Sequence, residues 1–186
     1  FNGAEDTVTI DSNEITHSGA TGTGIIALDG GDGGEPGQAT ISSNTIEGET
    51  GSADTGISLN TNLTVDVSGG SLHATNDGIL TTSNIGSTVN VSDVELTNIE
   101  NTGITLQNNE TNDPTTANID GVTIDSSSGA TGIIVPSANS APSSLNVDNA
   151  DINDTDVGVA FNDTSDGNLV SVTNSEITNA GSQGLI

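Results

Sequence analysis

The heptapeptide NTGITLQ at Asn101–Gln107 has close copies elsewhere in the chain: DTGISLN at 54–60, ATGIIVP at 130–136 and DVGVAFN at 156–162. Each copy is a glycine followed by two apolar residues that flank a variable one. The glycine recurs as Gly24, Gly56, Gly78, Gly103, Gly132, Gly158 and Gly184, at spacings of 32, 22, 25, 29, 26 and 26 residues. A self-similar period of this size is the mark of a repeat architecture.

Two further landmarks precede each glycine. One is a short alternating segment that ends at Ile10, Ile41, Val67, Val91, Ile119, Val147 and Val172. Apolar–polar–apolar alternation is the period of a strand with one buried face. The other is an aliphatic residue: Ile15, Ile46, Leu72, Leu96, Ile124, Ile152 and Ile177. It follows the first landmark by 5 residues in all seven copies. The remaining stretches vary in length and are rich in Gly, Asn, Asp, Ser, Thr and Pro, the residues of turns. Each unit therefore reads as two strands joined by a fixed tight turn, a loose turn, a third strand and a second loose turn.

Three short strands per period of about 27 residues, repeated seven times, predict an all-β, right-handed, three-sided parallel β-solenoid of about seven coils in a single domain over 1–186. One unit cannot bury its apolar face alone; stacked units share a core. Coils about 4.8 Å apart would give a rod roughly 34 Å long. A β-sandwich is the competing fold, but the constant five-residue step argues against it. The columns of a stack can be read off directly. Ile25, Ile57, Ile79, Ile104, Ile133, Val159 and Leu185 form the inward ladder of the third strand. The glycine ahead of each is read as the point where the chain turns without a Cβ clash. The outward column of the first strand contains Asn90, Asn118 and Asn146 in succession, a candidate hydrogen-bonded ladder. The outward column of the third strand is unexpectedly apolar, with Ile26, Leu80, Ile134 and Ile186 as candidate interface residues for lateral packing. The competing reading is that the loops after this strand fold back over it.

The pattern S-x-N-T-I … T-G-I-x-L, as in SSNTIEGETGSADTGISL at 42–59, resembles the parallel β-helix repeat of the pectin-lyase-like superfamily, over essentially the whole chain. In character it is closest to the β-helical rods of secreted bacterial or archaeal surface proteins and adhesins. The resemblance implies the fold and leaves activity open, since the superfamily includes lyases, hydrolases, tailspikes and adhesin rods.

Composition removes many activities. The chain has no Lys, Arg or Cys, 26 acidic residues and a net charge of −26. Nucleic-acid binding and attachment to anionic membranes need cations that are missing. Phosphate loops need a Lys. Disulfides and thiol chemistry are ruled out. The superfamily's lyases resemble this fold but use a basic residue to take a proton, and its hydrolases use an Asp cluster whose motifs do not appear. His17 and His73 lie two coils apart and read as solvated turn residues. Aromatic platforms for sugars are lacking, with only Phe1 and Phe161.

Calcium is the candidate cofactor, with a plain polar surface loop as the competing reading of the same residues. DGGDGGE places Asp29, Asp32 and Glu35 three residues apart on a flexible loop, a hard-oxygen set suited to Ca²⁺; NDTSDGN at 162–168 is a weaker candidate. Sequons for N-glycosylation begin at Asn62, Asn90, Asn109, Asn153 and Asn162. The chain begins at Phe1 without an initiator Met, so a segment of a longer protein is expected. The reading is a structural, non-enzymatic rod at a cell surface or outside the cell, self-associating end to end or laterally. The alternative is a glycan-binding or glycan-processing β-helix that uses carboxylates, with calcium.

Overall fold

The constant five-residue step is a corner built on a left-handed residue at one equivalent position in every coil, followed in the third coil by a second, Gly70. At that position stand Ser12, Ser43, Gly69, Asp93, Gly121, Asn149 and Asn174, with φ between 49° and 64°. A positive φ bends the chain sharply between two extended segments, and Gly, Asn and Asp adopt it at least cost. The computed structural model describes residues 7–19, 21–28, 38–60, 64–81, 88–107, 115–126, 129–136, 143–163 and 166–186.

Three strands follow one another in every coil. The first coil has β1 (Thr7–Asp11), β2 (Glu14–Thr16) and β3 (Thr23–Leu28); the second β4 (Gln38–Ser42), β5 (Thr45–Glu47) and β6 (Thr55–Asn60). The third has β7 (Thr64–Ser68), β8 (Ser71–His73) and β9 (Asp77–Thr81); the fourth β10 (Thr88–Ser92), β11 (Glu95–Ile99) and β12 (Thr102–Leu106). The fifth has β13 (Thr115–Asp120), β14 (Thr123–Ser126) and β15 (Thr131–Val135); the sixth β16 (Ser143–Asp148), β17 (Asp151–Asn153) and β18 (Val157–Phe161). The last has β19 (Leu169–Thr173), β20 (Glu176–Thr178) and β21 (Gln183–Leu185).

Equivalent strands of successive coils pair in parallel, giving three seven-stranded sheets. This is the predicted three-sided parallel solenoid, with turns of about 26 residues, and it removes the β-sandwich. All three landmark columns stand in register. Ile10 faces Ile41, Ile15 faces Ile46, Ile25 faces Ile57, and the pairing continues rung by rung to Val172, Ile177 and Leu185. The middle of this core is closed: Leu96, Ile104, Ile124, Ile133 and Ile152 are fully buried. Burying such a side chain contributes about 1.5–3 kcal/mol. The outer rungs are open, with half-buried Ile10, Ile15 and Ile177 packed against the core and Leu185 57% exposed. The enclosed solenoid therefore amounts to about five turns, fewer than the seven expected, because a rung is sealed only when coils lie on both sides of it.

Two local expectations change. The turn after the second strand is not loose throughout. Ala74, Asn98, Asp154 and Asn179 all have φ between 53° and 56° at the same place, two residues beyond the aliphatic landmark, so four coils make a second tight corner. The recurrent glycine, moreover, does not turn the chain. It lies inside or at the start of the third strand, and none of the seven has a positive φ. A Cβ on Gly78, Gly103 or Gly158 would come within 2.5 Å of the carbonyl oxygen of the next coil's glycine, and within 2.8 Å on Gly24 or Gly56. It would also meet the second-strand aliphatic residue of the next coil, such as Ile46 beyond Gly24 or Ile124 beyond Gly103. Glycine is required because the coils stack too closely there for any side chain.

Candidate functional site

The polar side chains of this fold are used mainly between coils. The clearest cluster lies where the first and second coils turn toward their third strands. Asp54 is buried, and its Oδ2 accepts hydrogen bonds from Ser52 Oγ at 2.6 Å and from His17 Nδ1, one coil away, at 2.9 Å. A carboxylate only accepts, so Nδ1 carries the hydrogen. The imidazole lies against Gly22, where a Cβ would overlap the ring. Burial pushes the Asp54 carboxyl up. The hydrogen bonds from Ser52 and His17, the His17 charge and a backbone contact at Glu49 outweigh it, and hold the carboxyl below its ordinary 3.8. The neighbouring turn is tied down as well: Glu100, two coils on, accepts the Gly51 N–H at 2.5 Å.

This cluster contains Ser, His and Asp in the wrong order for nucleophilic catalysis. A triad needs the imidazole between acid and hydroxyl, so that it can take the hydroxyl proton. Here the carboxylate stands in the middle and holds both partners. The arrangement locks a corner. It also corrects the reading of both histidines as solvated. His17, its side chain 29% exposed, is hydrogen-bonded to Asp54, and His73 Nδ1 lies 2.7 Å from Thr97 Oγ1 in the next coil. No sequence signal marks these partners, because coil lengths that differ decide which turn residues meet.

The outward face of the first sheet carries the amide ladder that the column of asparagines suggests. Asn146 donates to Asn118 at 2.9 Å, Asn118 to Asn90 at 2.8 Å, and Asn90 to the Asp66 carboxylate at 2.7 Å. All three amides point the same way, and the chain ends on a charge. The adjoining corner repeats the theme with carboxylates. Ser42 donates to Asp11 at 2.5 Å, and Thr173 and Asn174 both donate to Asp148 at 2.8 Å. These hydrogen bonds hold the Asp11 and Asp148 carboxyls below their ordinary value.

The predicted sites fare unequally. Asp29, Asp32 and Glu35 lie outside the described residues, as do Asn62, Asn109 and most of the loop after Gln107. Asn90 is engaged in the ladder, and Asn153 donates to Asp151 and accepts from Thr178, so both sequon amides have partners. Asn162 is exposed after β18. Of the apolar stripe, Ile26 is 54% and Ile186 44% exposed, whereas Leu80 and Ile134 are half-buried. Register places Ser58 and Thr105 between these residues, so the stripe is interrupted.

A corner cavity of about 360 Å³ spans the last three coils, lined by Ser126, Gly129, Asp154, Thr155, Asp156 and Asn179 among others. The Ser126 and Thr155 hydroxyls are buried without a hydrogen-bond partner. Among the described residues no three His, Cys, Asp or Glu side chains come together as a metal site, and no helix is long and apolar enough to cross a membrane. Comparison with family models, with curated proteins and with solved structures returns no match.

Proposed function

We propose that this chain is a structural, non-enzymatic β-solenoid rod of an extracellular or cell-surface protein, a spacer or filament element in the manner of the adhesin rods that its repeat resembles. One observation carries the reading: the chemistry-bearing side chains are spent on joining coil to coil. His17 is given to Asp54, Asn146, Asn118 and Asn90 to the ladder, and Asp11 and Asp148 to hydroxyl and amide donors of the next coil. A catalytic site keeps such groups available to substrate. A rod uses them to fix its register. A chain with 26 acidic residues and no Lys or Arg also suits life outside the cell. It keeps the rod soluble and offers trypsin-like proteases no cleavage residue.

The test is to offer the purified protein a panel of acidic, neutral and amino-substituted polysaccharides, with and without millimolar Ca²⁺. Neither binding nor chain shortening is expected. Saturable binding or cleavage that is lost on changing one carboxylate would replace this reading with a glycan-directed one.

A further inference from the structure

The corner cavity of about 360 Å³ is centred on the sixth coil, which has a coil on either side of it. Asp154, Thr155 and Asp156, in the turn between β17 and β18, line it together with Ser126 and Gly129 of the fifth coil and Asn179 of the seventh. The backbone of this turn is fixed from both sides. The Asp156 N–H donates to the Ala130 carbonyl at 2.7 Å, and the Thr155 carbonyl accepts the Gly181 N–H at 2.8 Å. The side chains are not fixed in this way. Among the described residues no hydrogen bond reaches the carboxylate of Asp154 or of Asp156. Ser126 and Thr155 are buried, 6% and 2% exposed, and both hydroxyl oxygens lack a partner.

We propose that this cavity binds a calcium ion. Charge decides for a cation over water. Water would satisfy the two hydroxyls but leave two carboxylates on one cavity without a counter-charge. The chain has no Lys or Arg, and its two histidines belong to the first and third coils. The side-chain set then decides for Ca²⁺. It supplies oxygen throughout: two carboxylates, two hydroxyls and the Asn179 amide. Ca²⁺ accepts six to eight such oxygens in irregular geometry, whereas Mg²⁺ demands a near-ideal octahedron and gives up its water reluctantly.

Thr75 shows that an orphaned hydroxyl alone does not make the site. It lies three residues past Leu72, as Thr155 lies three past Ile152, and its hydroxyl is also buried without a partner. Ala74 and Asn76 flank it, where Asp154 and Asp156 flank Thr155. Two carboxylates fall short of a three-acid cluster, which places the site at the weak end of calcium affinities, about 10⁻⁴–10⁻³ M. The bound ion ties three successive coils together at one corner. This assignment goes beyond the structural reading and does not depend on it.

The experiment titrates the ¹⁵N-labelled 186-residue chain with CaCl₂ in about 150 mM NaCl, which screens the general acidic surface. Saturating amide shifts are expected at Gly129, Thr155 and Gly181, half complete at about 0.1–1 mM Ca²⁺, with no saturation by Mg²⁺ in that range. Asp154→Asn combined with Asp156→Asn should abolish them. Asn tolerates the left-handed corner at position 154, where φ is 56°, so the fold is kept. Glu47→Gln combined with Glu95→Gln removes the same charge from exposed positions of the second sheet and should leave the shifts unchanged. Thr155→Val should weaken binding about tenfold, while Thr75→Val should not alter it. Absent shifts, shifts that spread over the acidic surface without saturating, or saturation that survives in the Asp154/Asp156 double variant would overturn the site. Equal effects of the two threonine variants would do so as well.

Discussion

The Cβ position of Gly103 lies 2.5 Å from the carbonyl oxygen of Gly132 in the following coil, and 3.0 Å from Ile124 Cγ2. Two coils approach so closely there that a methyl group cannot enter without displacing backbone. Gly103→Ala is expected to lower stability by about 3 kcal/mol, the upper range for overpacking a core. Gly184→Ala, in the same column with open space above it, should stay within about 0.5 kcal/mol of the wild type. Urea unfolding of the two variants side by side measures the contrast.

Ser43 occupies the left-handed corner position of the second coil with φ 54°, and it is exposed. The backbone strain there has no compensating packing. Ser43→Gly should gain about 1 kcal/mol, the order of the left-handed penalty for a residue with a Cβ. Gly121→Ala at the equivalent corner should lose about 1–2 kcal/mol, because its φ is 64° and its Cβ would meet Asp93 Oδ1 at 2.7 Å. Thermal melts should move in opposite directions.

Asn118 both donates to Asn90 and accepts from Asn146. Asn118→Ala breaks both links and leaves a part-buried amide on each side. A loss of about 1–2 kcal/mol is expected, with faster hydrogen exchange in β10, β13 and β16.

Asp54 contributes to the acid limit, together with the lowered Asp11 and Asp148. Its carboxyl is lowered in the folded state, so it binds fewer protons folded than unfolded. Its contribution is complete above the ordinary 3.8 and disappears as pH falls through the lower folded value. Stability should hold from pH 7 to about 5 and fall below about 4. Asp54→Asn removes one charged acceptor of His17 and Ser52 and should flatten that fall. Unfolding midpoints measured from pH 7 to pH 2 check it.

The sequence is informative about whatever repeats and silent about whatever does not. Ile25, Ile57, Ile79, Ile104, Ile133 and Val159 could be placed in one buried column because each coil must supply one rung. The invariant five-residue step announced the first corner, although only the structure shows that a left-handed residue makes it. The second corner is tight in four coils and longer in the other three, which blurs its spacing in the sequence. A glycine before a strand looks like a turn, and the crowding that selects it comes from a residue about one period away. The His17–Asp54 pair, 37 residues apart, was hidden for the same reason, as was Glu100 at Gly51, 49 residues away and two rungs on. Contacts between turns depend on accumulated differences in coil length, which no local pattern records.

Stacking in register is the claim on which the rod and its ladders depend. The absence of cysteine allows it to be measured directly with pairs of spin labels. One label at Gln38→Cys is combined in turn with Thr116→Cys, Ser144→Cys and Leu169→Cys, which stand three, four and five rungs along the same column. The account predicts backbone separations of about 14, 19 and 24 Å, rising by about 4.8 Å per rung. Distances that fail to increase in this order, or that jump by more than a coil spacing, would contradict it.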